Sequence, residues 1–118
     1  MPICPAEITL DFISGRWKII ILFYLSQKTM RFSELIIVLK GISRRVLTQQ
    51  LRQLEQDGLI HREVFAQVPP KVEYSMTEVG HTLLPVVEAM CHWGEAYGKK
   101  ILAERSLAST DADEIEDV

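Results

Sequence analysis

The sequence has little of what marks catalysis, secretion or membrane insertion. Its two cysteines, Cys4 and Cys91, are too few for a disulfide framework and lack neighbours at zinc-ligand spacing. There is no CxxC, no phosphate-cradling glycine loop and no clustered set of His, Asp and Glu placed for catalysis. A nucleophile here would have no partner to orient it, so no enzyme and no cofactor are expected. The longest apolar run, Ile19 to Leu25, is about a third of the ~20 residues a membrane helix requires. The opening MPICPAEITLD lacks a basic segment followed by an apolar one and does not look like a secretion signal, which gives a cytoplasmic expectation without membrane partners. No internal repeat is present.

What is present suffices for one core. Hydrophobic residues make up 47% of 118 positions, and one domain over residues 1–106 is expected. Charge is unevenly placed. The formal net charge is -3, yet from Arg16 to Met76 ten Lys/Arg stand against five Asp/Glu, a net of +5. The last eight residues, DADEIEDV, hold five acids. The acidity therefore concentrates in a tail, read as disordered over 107–118, while the middle of the chain is basic enough to suit a polyanion.

Pro5 suits the first position of a helix reaching about Ser14, with Ile8, Phe12 and Ile13 as its buried side and Gly15 at its end. RWKIIILFYLSQ is apolar on nearly all sides and predicts a central helix. Ser33 is expected to cap SELIIVLK, and Gly41 to stop it. Within GISRRVLTQQLRQLEQDGLI, Ser43 can cap a helix running to Asp57 and closed by Gly58. Val46, Leu47, Leu51 and Leu54 share its core face. Its other face holds Arg44, Arg45, Thr48, Gln49, Arg52, Gln53 and Gln56, with no acid before Glu55.

The period then changes. KVEYSM alternates, LIHREVF does so in part, and AQVPP between them suits a hairpin tip. Thr77 can cap a final helix in which Pro85 predicts a kink or break near Leu84. Along that helix Leu83, Val87, Met90, Gly94, Tyr97 and Ile101 are spaced 4-3-4-3-4, the seam of a helix packed lengthwise on another. A second copy of the chain is the expected cover, and Leu83, Val87, Met90, Trp93, Tyr97 and Ile101 are assigned to a homodimer interface. Cys91 beside His92 reads as packing and not as a metal site.

Two helices joined by a short glycine-containing turn, with a hairpin directly after the second, describe a winged helix-turn-helix, mainly α with a small β-hairpin. In that arrangement the second helix enters the major groove of double-stranded DNA and the wing follows the backbone or minor groove. Arg pairs with guanine, Gln with adenine, and Thr with a thymine methyl or a phosphate. Ser43, Arg44, Arg45, Thr48, Gln49 and Arg52 are thus the expected DNA-binding residues of this helix, at bases or at phosphates. Arg31 and Lys71 are expected at phosphates. A solvated helix face is the competing reading, since Arg and Gln also favour helices. A protein–protein adaptor is another, but it calls for an apolar or acidic face where three arginines stand.

CPAEITLDFISGRWKIIILFYL, RFSELIIVLKGISRRVLTQQLRQLEQDGLIHR, VPPKVEYSMTEVG and LLPVVEAMCHWG together resemble the HxlR-type branch of the winged-helix, MarR-like bacterial transcription regulators, from about Cys4 to Gly94. The resemblance implies a homodimer on an inverted-repeat operator, joined through terminal helices at about 1–15 and 77–106. It also implies a recognition helix over Ser43 to Asp57 and a wing over Val64 to Glu73, with its basic residue at Lys71. Arg31 matches the family's basic residue before FSEL. Arg44 stands where proline or a small polar residue is common, and Gln53 where glutamate is common, so the operator need not follow relatives.

A repressor is expected, because the chain shows no further domain to recruit polymerase. Some members carry a sensing cysteine where Cys4 falls, and the MarR-like class includes proteins that bind aromatic effectors. The resemblance thus implies a small electrophile or aromatic effector. The residues themselves leave two readings of Cys4 open. With Pro5 as the first helical residue it sits at the positive end of a helix dipole, a setting for reaction with oxidants or electrophiles. It also suits a structural thiol at the interface.

Overall fold

The computed structural model describes residues 3–116, with side-chain environments through Ser109. The elements are α1 (Pro5–Ile13), α2 (Lys18–Gln27), β1 (Met30–Arg31), α3 (Phe32–Val38), α4 (Arg44–Gln56), β2 (Ile60–Phe65), β3 (Lys71–Met76), α5 (Glu78–His81), α6 (Leu84–Trp93), a π-helical turn (Gly94–Gly98) and α7 (Lys99–Glu116). They form two compact units, one ending at Leu84 and one starting at Pro85.

The core of the first unit is built from helix stripes and one sheet face. Ile21, Leu22 and Leu25 of α2 are buried, as are Leu35 of α3 and Leu39 just after it. Leu47, Leu51 and Leu54 of α4 join them, and Met30, Ile60, Tyr74 and Met76 close the core from the strands. Each such aliphatic side chain contributes about 1.5–3 kcal/mol when fully buried. Three leucines at 4-3 spacing therefore fix the rotation of α4, and its polar face is turned outward as a consequence.

Both ends of α4 are chemically defined. The Val46 N–H donates to Ser43 Oγ at 3.1 Å, satisfying one of the first-turn donors. At the other end Gly58 adopts φ +75°. The Leu59 N–H then reaches the Leu54 carbonyl at 3.0 Å and the Gly58 N–H reaches that of Glu55 at 3.0 Å. These two bonds form a Schellman motif, and buried Leu54 and Leu59 supply its apolar contact.

The strands form one antiparallel sheet in the order β1-β3-β2. Its hairpin registers Ile60 with Met76, Arg62 with Tyr74 and Val64 with Val72. The sequence predicts only this hairpin; the third strand, β1, pairs Met30 with Tyr74 and Arg31 with Glu73. Two residues are too short to show a period, so β1 leaves no pattern to read.

Two local expectations are corrected. Ser33 does not cap α3: Arg31 takes the cap position, and its N–H donates to Glu34 Oε1 at 3.0 Å. A glutamate at the third helical position reaching back does the work expected of the serine. In α1 only Ile13 is buried, whereas Ile8 and Phe12 are exposed. The apolar pattern of α1 is wider than the surface that covers it in a single chain.

The break foreseen at Pro85 is present. α5 is capped by Thr77, whose Oγ1 accepts the Gly80 N–H at 2.9 Å, and it ends at His81. α6 starts afresh at Leu84, so Pro85 falls in a first turn, where its missing N–H costs nothing.

In the second unit, the π-helical turn over Gly94–Gly98 interrupts the 4-3 spacing, because its i→i+5 bonding rotates the following residues out of phase. Val87 is buried, while Met90, Trp93, Tyr97 and Ile101 are exposed. Leu83, the first residue of the expected seam, belongs to the first unit and is half-buried. The helical backbone of α7 continues to Glu116. The expected acidic tail at 107–118 lies for the most part outside the described side chains.

Candidate nucleic-acid interface

The outward face of α4 collects the residues singled out in the sequence. Arg44, Arg45, Thr48, Gln49, Arg52, Gln53 and Gln56 line one open groove. They are brought together by helical spacing alone and displayed because Leu47, Leu51 and Leu54 face the core. No acid pairs with any of these arginines among the described residues. Their guanidinium donors are thus available to an external acceptor.

Three members of the face are constrained by neighbours. The Arg44 guanidinium carbon lies 5.6 Å from the centroid of the Phe32 ring, so α3 positions the first arginine of the helix through a cation–π contact. Thr48 Oγ1 donates to the Arg44 carbonyl at 2.8 Å, which leaves the methyl group and the oxygen lone pairs for outside contacts. Ser43 accepts from Val46 but keeps its own hydroxyl proton.

Lys71 Nζ is 2.9 Å from Glu73 Oε1 and 5.0 Å from the Phe65 ring centroid. It is half-buried, not a free charge at the tip. Arg31 is exposed, and its backbone pairs with Glu73 in the ladder. The tip itself presents Val68, which is fully exposed. One basic residue near the α4 groove was not singled out from the sequence. Arg62 lies beside Arg52 in a notch between α4 and the hairpin; its alternation with buried Ile60 is the signal that pointed there.

Cys4 is the cap residue of α1 and is exposed. Its carbonyl accepts the Glu7 N–H at 2.8 Å and its sulfur makes no capping bond. Cys91 is also exposed. Among the described residues no three His, Cys, Asp or Glu side chains gather as metal ligands. No described helix is long and apolar enough to cross a membrane.

An outward, acid-free helix face followed by a hairpin wing is the architecture of a DNA reader, and residues 12–102 match the family model for the HxlR-like helix-turn-helix. The chain belongs to the HxlR-like family. It is 55% identical over 98 residues to the uncharacterized HTH-type transcriptional regulator YdeP of Bacillus subtilis, covering 83% of this chain and 77% of that one. It also superposes on the redox regulator HypR in its reduced form with a TM-score of 0.81 and 48% identity, over 85% of this chain and 99% of that one. The reduced form of the transcriptional regulator YodB from B. subtilis matches with a TM-score of 0.69 and 31% identity, over 81% and 95% of the two chains. This HxlR-like protein is accordingly a DNA-binding transcriptional regulator of the winged helix-turn-helix, MarR-like type.

Proposed function

We propose that this HxlR-like regulator is a homodimeric repressor that reads an inverted-repeat operator with α4 and responds to oxidants or electrophiles through Cys4. One observation carries the reading of DNA: a groove of Arg44, Arg45, Thr48, Gln49 and Arg52 on a helix whose opposite face is locked into the core. Arg45 and Gln49 reach base edges, while Ser43, Arg31 and Lys71 meet phosphates. Dimerisation is supported by apolar side chains left uncovered in the single chain. Ile8, Leu10 and Phe12 of α1 are exposed in one unit, and Met90, Trp93, Tyr97 and Ile101 in the other.

The sensing role of Cys4 draws on its exposure at the start of α1 and on the similarity to HypR, described as a redox regulator. Oxidation or alkylation there alters a helix with an uncovered apolar face, and with it the spacing of the two recognition helices.

Selection of bound fragments from sheared genomic DNA, at near-physiological salt, tests the whole reading. Enrichment of an inverted repeat with half-sites about one helical turn apart supports it. Fragments bound no better than random sequence overturn it and favour an adaptor role. Loss of enrichment on quinone treatment, restored by Cys4→Ser, assigns the response to Cys4.

A further inference from the structure

Strand β2 starts at buried Ile60 and reaches Arg62 two residues later, so both side chains lie on the sheet face toward α4. Pairing of Arg62 with buried Tyr74 fixes that register. Opposite, α4 contributes Thr48, Leu51, Arg52 and Glu55, and together with Arg62 and Tyr74 these line a notch of about 290 Å³. Two guanidinium groups and one carboxylate share this space, leaving one net positive charge. Neither arginine is ion-paired among the described residues. Arg52 also lines the open groove of α4, so the notch continues the reading face sideways toward the wing. With α4 in a major groove, the backbone strand bordering that groove passes between helix and wing, where the notch opens.

We infer that Arg62, with Arg52 beside it, seats a phosphate of the DNA backbone and sets affinity without reading sequence. The inference rests on the proposed entry of α4 into the major groove. A guanidinium free of carboxylate presents paired donors to phosphate oxygens. Thr48 directs its proton to the Arg44 carbonyl, so the two arginines carry the contact. Glu55 opposes it by like charge and limits non-specific binding.

The test compares Arg62→Ala, Arg62→Lys and Glu55→Gln with the unaltered protein, on operator and on unrelated DNA, across a salt series and with thermal melting of each variant. Arg62→Ala is expected to weaken both DNAs by about tenfold and to reduce the slope of log affinity against log salt by about 0.9. Arg62→Lys keeps most of the slope, because a point charge still meets phosphate. Glu55→Gln tightens binding to both DNAs. An unchanged slope in Arg62→Ala, while the unaltered protein still selects its operator, overturns the inference alone. A lowered melting temperature shared by Arg62→Ala and Glu55→Gln, with unchanged slope, also overturns it and identifies an internal pair. An unaltered protein with no preference for any fragment overturns the operator reading itself.

Discussion

Gly80 lies so close to the carbonyl oxygen of Leu59 that no Cβ can be accommodated between them. The contact belongs to a clamp. Thr77 donates its N–H to the Leu59 carbonyl at 3.2 Å and its hydroxyl to that of Gly58 at 2.6 Å, while Gly80 N–H donates to Thr77 Oγ1. The end of α4, the entry to β2 and the start of α5 are thereby tied at one point. Helix α4 and the hairpin hold their relation through this backbone junction as well as through the core.

Gly80→Ala is expected to destabilise the fold by about 1–3 kcal/mol or more, because the new methyl meets backbone that cannot swing aside as a side chain does. Urea denaturation measures it. An unchanged midpoint means that the Leu59 carbonyl can move freely and the clamp is loose.

Arg45→Ala and Gln49→Ala are expected to cost about 1–3 kcal/mol on operator DNA and much less on random DNA. Equal losses on the two kinds of DNA reassign these residues to the backbone. Lys71→Ala behaves differently, weakening all sequences alike and lowering the salt slope by about one. Glu73→Gln releases Lys71 from its 2.9 Å ion pair and is expected to raise non-specific affinity. Titrations at several salt concentrations separate these outcomes.

Phe32→Leu removes the ring that holds Arg44 at 5.6 Å. Loss of an exposed cation–π contact of about 0.5–1 kcal/mol predicts operator binding weakened two- to fivefold. In a double-mutant cycle with Arg44→Ala the effect of Phe32→Leu should vanish. Strict additivity in that cycle means that Phe32 does not act through Arg44.

Cys4→Ser is expected to leave operator affinity intact and to abolish release by diamide or a quinone, with Cys91→Ser retaining the response. Gel-shift titration with and without oxidant is the measurement. A response that survives Cys4→Ser removes Cys4 from the mechanism.

Helix α4 and its polar face were legible from residues 41 to 60, because helical period, a serine cap and a closing glycine are all short-range and each one agrees with the others. The same holds for the alternation of Val72, Tyr74 and Met76, the Thr77 cap and the break at Pro85. Where the pattern spanned few residues or competed with a neighbour, it misled. Ser33 gave way to Glu34 acting on Arg31, and Ile8 and Phe12 of α1 stayed uncovered.

The sequence by itself determined which residues form α4 and which of its faces is polar, because helix geometry and the leucine spacing leave one solution. Only the tertiary structure decided what surrounds that face. It added β1 as a third strand, set Phe32 beneath Arg44, and brought Arg62 within one notch of Arg52. These are contacts between elements, fixed by strand register and helix packing. Neither is encoded in the spacing of any single segment.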